Sequence, residues 1–181
     1  MARFPLVAES DARDPVVAAV YEEIRQELGF GMVPNIFRSM AICPWILRAH
    51  WDKFRATILQ GSLPRTTKEM VGVLISRANN SEYAYSVHLH GLSVQGVADQ
   101  VLAQLVEDWQ RCPLPEREKH ILQFGLLAGT DPLSLTDADF GTLRAHDLTD
   151  AEIFEIIASA DLFASVNVYT DSAGVEVDQL G

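Results

Sequence analysis

Cysteine is scarce: the chain of 181 residues has two, Cys43 and Cys112, far apart and each directly before a proline. That placement has neither the CxxC of a redox pair nor the spacing of a zinc site, so both thiols are expected to be reduced and buried, and no bound metal is expected. Positive charge is scarce too. Lys and Arg number 14 against 25 Asp and Glu, a formal net charge of −11. Such a surface repels phosphate backbones and anionic lipid heads, which argues against nucleic acid and membrane as partners. It also disfavours an anionic substrate unless Arg77 or another base stands beside the cleft. No apolar run reaches the ~18 residues of a membrane span, and the N-terminal MARFPLVAESDARDP has no apolar core of the signal-peptide kind. The expected location is the cytoplasm. A GxGxxG after a strand, a CxxCH and a glycine-rich phosphate cradle are all missing, so no flavin, nicotinamide or haem site is expected, and no other cofactor. Alternating apolar and polar runs are missing as well. The β-branched residues sit within helical periodicity, and the expected fold class is all-α.

What is present suits one domain over residues 1–181, with a 48% hydrophobic share ample for a core. Within it we distinguish an N-terminal helical extension (1–61), a central motif region (62–112) and C-terminal helices (113–181). Asp14-Pro15 marks a helix start and Gly29 its stop. A loop through Pro34 leads to a short helical turn ending at Met40. Pro44 to Leu59 then carries Ile46, Leu47, His50, Trp51, Phe54 and Ile58 on one broad apolar stripe. Further helices are expected over Val97 to Arg111, Glu116 to Ala128 and Thr136 to His146. Thr149 with Glu152 forms a capping box opening a long helix toward Ala173, ended by Gly174.

The stretch from Thr66 to Gly96 organises the rest. Thr66 and Glu69 have the spacing of another capping box before the apolar run Met70 to Ile75, and Asn79-Asn80 breaks the pattern before Ser81 restarts it. Ser81 has the place of a routine helix cap. On the second helix Ser81, Ala84 and His88 are spaced i, i+3, i+7 and share a face. His90, two residues from His88, projects elsewhere, so the two make a poor metal pair. His50, His120 and His146 show no partner and are assigned to surface or packing. A faint repeat links TxxE at Thr66–Glu69 to TxxE at Thr149–Glu152. Ser76 and Ser159 follow seven residues after each glutamate, and Ala84 corresponds to Asn167.

This stretch resembles the carboxymuconolactone decarboxylase and alkylhydroperoxidase D-like superfamily. In its peroxidase members a glutamate precedes a CxxC motif by twelve residues, and a histidine follows four residues after the second cysteine. Here those places hold Glu69, Ser81, Ala84 and His88. The acid, the histidine and the intervening text from Glu69 to Tyr83 match, and both cysteines are absent. VPNIFRSM, PWILRAHW and FASVNVYTDSAGVEVD match more weakly, so that nearly the whole chain is covered. The resemblance implies an alkylhydroperoxidase D-like helical fold with duplicated helical hairpins, and a homo-oligomer of trimer or hexamer type.

Three functions follow as expectations. The family's peroxidase label implies hydroperoxide reduction through a thiol relay. Ser81 and Ala84 argue against it, since neither a hydroxyl nor a methyl can form the disulfide or sulfenic acid that relay needs. Whether Cys43 or Cys112 lies near His88 is a question for the structure. The decarboxylase branch implies acid–base chemistry, with Glu69 and His88 moving a proton on a small carbonyl, lactone or carboxylate substrate and Tyr83 and Tyr85 closing the pocket. The third is a ligand-binding oligomer without catalysis.

Overall fold

The computed structural model describes residues 2–179, and among them every regular element is helical. Helix α1 (Pro15–Glu27) starts where Asp14 accepts hydrogen bonds from the backbone N–H groups of Val16 and Val17, with Pro15 at the first helical position. After α2 (Asn35–Met40), α3 (Pro44–Phe54) again begins on a proline and passes into a π-helical turn, Arg55–Leu59. Glu23 of α1 ties these two together: it receives both terminal nitrogens of Arg48 at 2.8 and 2.7 Å and the Trp51 indole N–H at 2.8 Å. Then come α4 (Arg65–Ala78), α5 (Glu82–Val94), α6 (Asp99–Asp108), α7 (Glu116–Thr130), α8 (Asp137–Ala145) and α9 (Asp150–Ala173).

The core is built around α4. Ten consecutive residues, Thr67 to Ser76, are buried, because α5, α7 and α9 all pack on this one helix. A helix covered on every side can carry a charge only if the charge is paired. Lys68, 2% exposed, donates to the Gln60 carbonyl at 2.6 Å and to Glu155 at 2.7 Å, and Glu155 of α9 also accepts from the Ser62 N–H at 2.9 Å. This pairing fixes the entry to α4.

The start of α4 departs from expectation. Pro64 holds the N-cap position, the helix begins at Arg65, and Thr66 lies inside the first turn with no side-chain cap. Proline's fixed φ sets that boundary two residues too early for Thr66 to cap, and the Glu69 carboxylate is released to point at α5. The box at Thr149 and Glu152 does form, and α9 ends at Gly174 in the left-handed region with φ +62°. The two TxxE segments therefore differ at their caps, although Ser76 and Ser159 are both fully buried and Ser76 donates to Asn167 of α9 at 3.0 Å.

Candidate functional site

Helices α4 and α5 form a hairpin whose inner faces meet at one acid and one imidazole. Glu69 Oε2 lies 2.8 Å from His88 Nδ1, and the two side chains are 3% and 4% exposed. Such a pair needs room at close quarters, which two glycines supply. A Cβ on Gly91 would come within 3.3 Å of the Glu69 carboxylate, and one on Gly72 within 3.1 Å of the His88 ring. Phe163 of α9 packs edge-on to that ring, centroid to centroid 4.5 Å. The second carboxylate oxygen of Glu69 accepts from Arg65 Nε at 3.2 Å, one turn earlier on α4, and Arg65 is itself held by the Leu28 carbonyl at 2.9 Å. Glu69 thus has a partner on each oxygen, and Arg65 balances its charge.

The dyad lines a small, partly enclosed chamber. Its walls are Leu28, Phe30, Phe37, Phe54, Val87 and Val166, with Glu69, His88, His50, Tyr83 and Ala84 among the rest. The free space is about 30 Å³, enough for two or three waters at roughly 10–15 Å³ each. With Nδ1 committed to Glu69, the reactive atom left on His88 is Nε2, which is buried and makes no hydrogen bond to any described residue.

Two of the expected residues join the dyad in this chamber. Ala84 is fully buried in its wall, and Tyr83 lines it while its hydroxyl donates to Asp178 at 2.7 Å and accepts from the Ile36 N–H at 2.9 Å. Asp178 also accepts from the Asn35 N–H at 2.8 Å, so the segment after α9 is strapped to the loop that closes the chamber. Burial pushes the Asp178 carboxyl up and the Tyr83 phenol well above its ordinary value. Ser81 and Tyr85 line a separate hollow with Arg77 and Glu82. Ser81 does hold the N-cap position of α5, yet its hydroxyl makes no cap; it donates to Asp171 of α9 at 2.9 Å. Turned to donate to a carboxylate on a neighbouring helix, the hydroxyl does not accept from the backbone N–H groups of the first turn of α5.

The cysteines stand apart. Cys112 is buried with its thiol 3.7 Å from the Val101 carbonyl, and burial pushes its pKa up, which lowers its nucleophilicity. Cys43, half-buried, lines a hollow with Phe4, Met40 and Tyr169. Neither lines the chamber.

The three histidines expected at the surface or in packing all make packing contacts. His50 is 6% exposed and lines the chamber opposite the dyad's helices, its Nε2 also without a hydrogen-bond partner among the described residues. Burial, then the charge of Lys53, lowers its pKa to about 4. A polar residue in the apolar stripe of α3 was the available signal. His120 of α7 and His146, the residue that follows α8, lie with ring centroids 4.6 Å apart, a contact between segments that no local spacing reveals.

Comparison with known proteins agrees with this architecture. A model of the carboxymuconolactone decarboxylase family matches residues 47–109. An alkyl hydroperoxide reductase of Mycobacterium tuberculosis is 32% identical over 89 residues, which are 49% of this chain and 25% of that protein. The match thus spans about a quarter of the relative's length. Among solved structures, an alkylhydroperoxidase AhpD core, a peroxidase-related protein from Ralstonia eutropha JMP134, superposes with TM-score 0.87 at 26% identity, covering 98% of this chain and 93% of that one. A peroxidase-related protein from Silicibacter sp. TM1040 shares the fold at 22% identity, TM-score 0.84, over 97% and 93% of the two chains.

Proposed function

Because the chain belongs to the carboxymuconolactone decarboxylase and alkylhydroperoxidase D-like superfamily, we propose that it is a peroxidase-related member in which the Glu69–His88 dyad performs proton transfer on a small organic substrate, without a thiol relay. The observation that carries this reading is the state of His88, a residue of the chamber wall: Nδ1 is held by a buried carboxylate at 2.8 Å while Nε2 is buried and unpaired among the described residues.

The chemistry follows from that geometry. With Nδ1–H donating to Glu69, the neutral ring presents a lone pair at Nε2, the tautomer a general base requires. When Nε2 takes a proton from substrate, the imidazolium formed is stabilised by Glu69 at its other nitrogen. This is the orienting and charge-balancing role an acid plays beside a catalytic histidine. The same proton then returns to the product. Phe163 against the ring face and Gly72 behind it hold the imidazole at one angle. Against a thiol route stand Ser81, outside the chamber and bonded to Asp171, Ala84, which has no reactive atom, and two cysteines that line other regions.

The test is solvent-deuterium exchange at the acidic C–H positions of small ketones, lactones and esters, followed by NMR in D2O. We expect the wild type to accelerate exchange of at least one of them, and Glu69→Gln and His88→Gln to lose about 10²-fold or more of that rate. Exchange equally fast in both variants, or none with any compound, contradicts the reading.

A further inference from the structure

Proton transfer by the dyad leaves a buried histidine of the chamber wall without a task. His50 reaches the chamber from α3, more than thirty positions before His88 in the sequence, and its Nε2 is as unpaired as that of His88. Its ring is gripped from two sides, by Phe37 with centroids 6.0 Å apart and by Tyr169 edge-on at 5.4 Å. An unpaired nitrogen in a packed core costs stability comparable to a lost hydrogen bond. Phenylalanine would fill the same space without that cost. The imidazole therefore has a use only if something in the chamber pairs with it.

The wall also sets the charge of that partner. Apart from the two histidines and the Tyr83 hydroxyl, already bonded to Asp178 and Ile36, its one charged group is the Glu69 carboxylate. Arg65 is engaged by Glu69 and Leu28, with its second terminal nitrogen buried and unpaired among the described residues, and Lys68 by Gln60 and Glu155; neither residue lines the cavity. With its pKa depressed to about 4, His50 is neutral near pH 7. An anion entering this space would lose its hydration and meet a wall that holds a carboxylate and no cation of its own, Arg65 lying behind Glu69. A neutral apolar molecule meets phenylalanine, leucine and valine walls.

We infer that His50 is a substrate-contacting residue and that the chamber selects a small uncharged molecule with an apolar body, hydrogen-bonded at one point by His50 Nε2 and at another by His88 Nε2. This rests on the proposed function and narrows it: of carbonyl, lactone and carboxylate compounds, the free carboxylates are excluded.

A matched pair of probes tests the inference without asking for turnover. Butanamide and butanoate have the same shape and differ in charge. Their binding is followed by NMR through the imidazole signals of His50 and His88, assigned by comparing spectra of His50→Phe, His50→Gln and His88→Gln with wild type. We expect butanamide to saturate and to shift both imidazoles, butanoate to bind at least tenfold more weakly, and His50→Phe to weaken butanamide about fivefold to tenfold, the worth of one neutral hydrogen bond. His50→Gln, which keeps a polar end, recovers part of the loss, and His120→Phe, away from the chamber, changes nothing. Butanoate binding as well as the amide, unchanged affinity in His50→Phe, or no saturable binding of butanamide each overturns the inference. Because no proton is abstracted in this measurement, failure of deuterium exchange and failure of His50 recognition are read separately.

Discussion

The Cβ that Gly72 lacks would stand 3.1 Å from the His88 ring and 3.0 Å from Phe163. The position of the imidazole thus depends on an atom that is absent one helix away. Gly72→Ala forces the ring or Phe163 to shift by a few tenths of an ångström in a packed core. We expect a loss of about 1–3 kcal/mol of stability and a larger loss of exchange activity than Gly141→Ala, whose added Cβ meets nothing within 4 Å. Urea denaturation of the two variants, with the deuterium-exchange assay, checks both.

His50 predicts a pH signature. Its native pKa of about 4 lies below the ordinary value of 6.5, so the unfolded chain binds the proton first as pH falls. Stability is therefore fully present above pH 6.5 and is lost progressively down to about pH 4, with a total of up to about 3 kcal/mol. Asp178, pushed up by burial, acts with the opposite sign at the acid end. The contribution of His50 is read as the difference between wild type and His50→Phe across pH 4 to 7, and the expected outcome is that the phenylalanine variant loses this slope.

Much of the helical layout was legible because its signals are local. Asp14-Pro15, Thr149 with Glu152, and Gly174 each act within a few residues of the boundary they set, and each acts as expected. Thr66 with Glu69 carried the same signal and failed, because Pro64 had already fixed the start and a histidine on the next helix offered the carboxylate a buried partner. The proximity of Glu69 to His88 came from resemblance; the bond between them, the clasp of Arg65 and the glycine clearances are products of helix packing. His50 reads locally as one polar residue on an apolar stripe. Only the chamber that α3 lines together with α5 and α9 makes it a wall residue.

Peroxide chemistry gives a sharp contrast. With Ser81 bonded to Asp171, Ala84 beside the dyad and both cysteines outside the chamber, wild type is expected not to consume an organic hydroperoxide in the presence of a dithiol. The double variant Ser81→Cys/Ala84→Cys restores two thiols at i, i+3 on α5, one beside His88, and is expected to turn over. Catalytic consumption by the wild type, abolished by Cys43→Ser or Cys112→Ser, is the contrary result.

The central claim is that a carboxylate fixes His88 so that a free lone pair faces the chamber. It is tested most directly by ¹⁵N NMR of the His88 ring near neutral pH. The account predicts a protonated Nδ1, with a strongly deshielded proton that disappears in Glu69→Gln, and an unprotonated Nε2 carrying the shift of a free lone pair. A proton on Nε2, or a spectrum unchanged by Glu69→Gln, would contradict it.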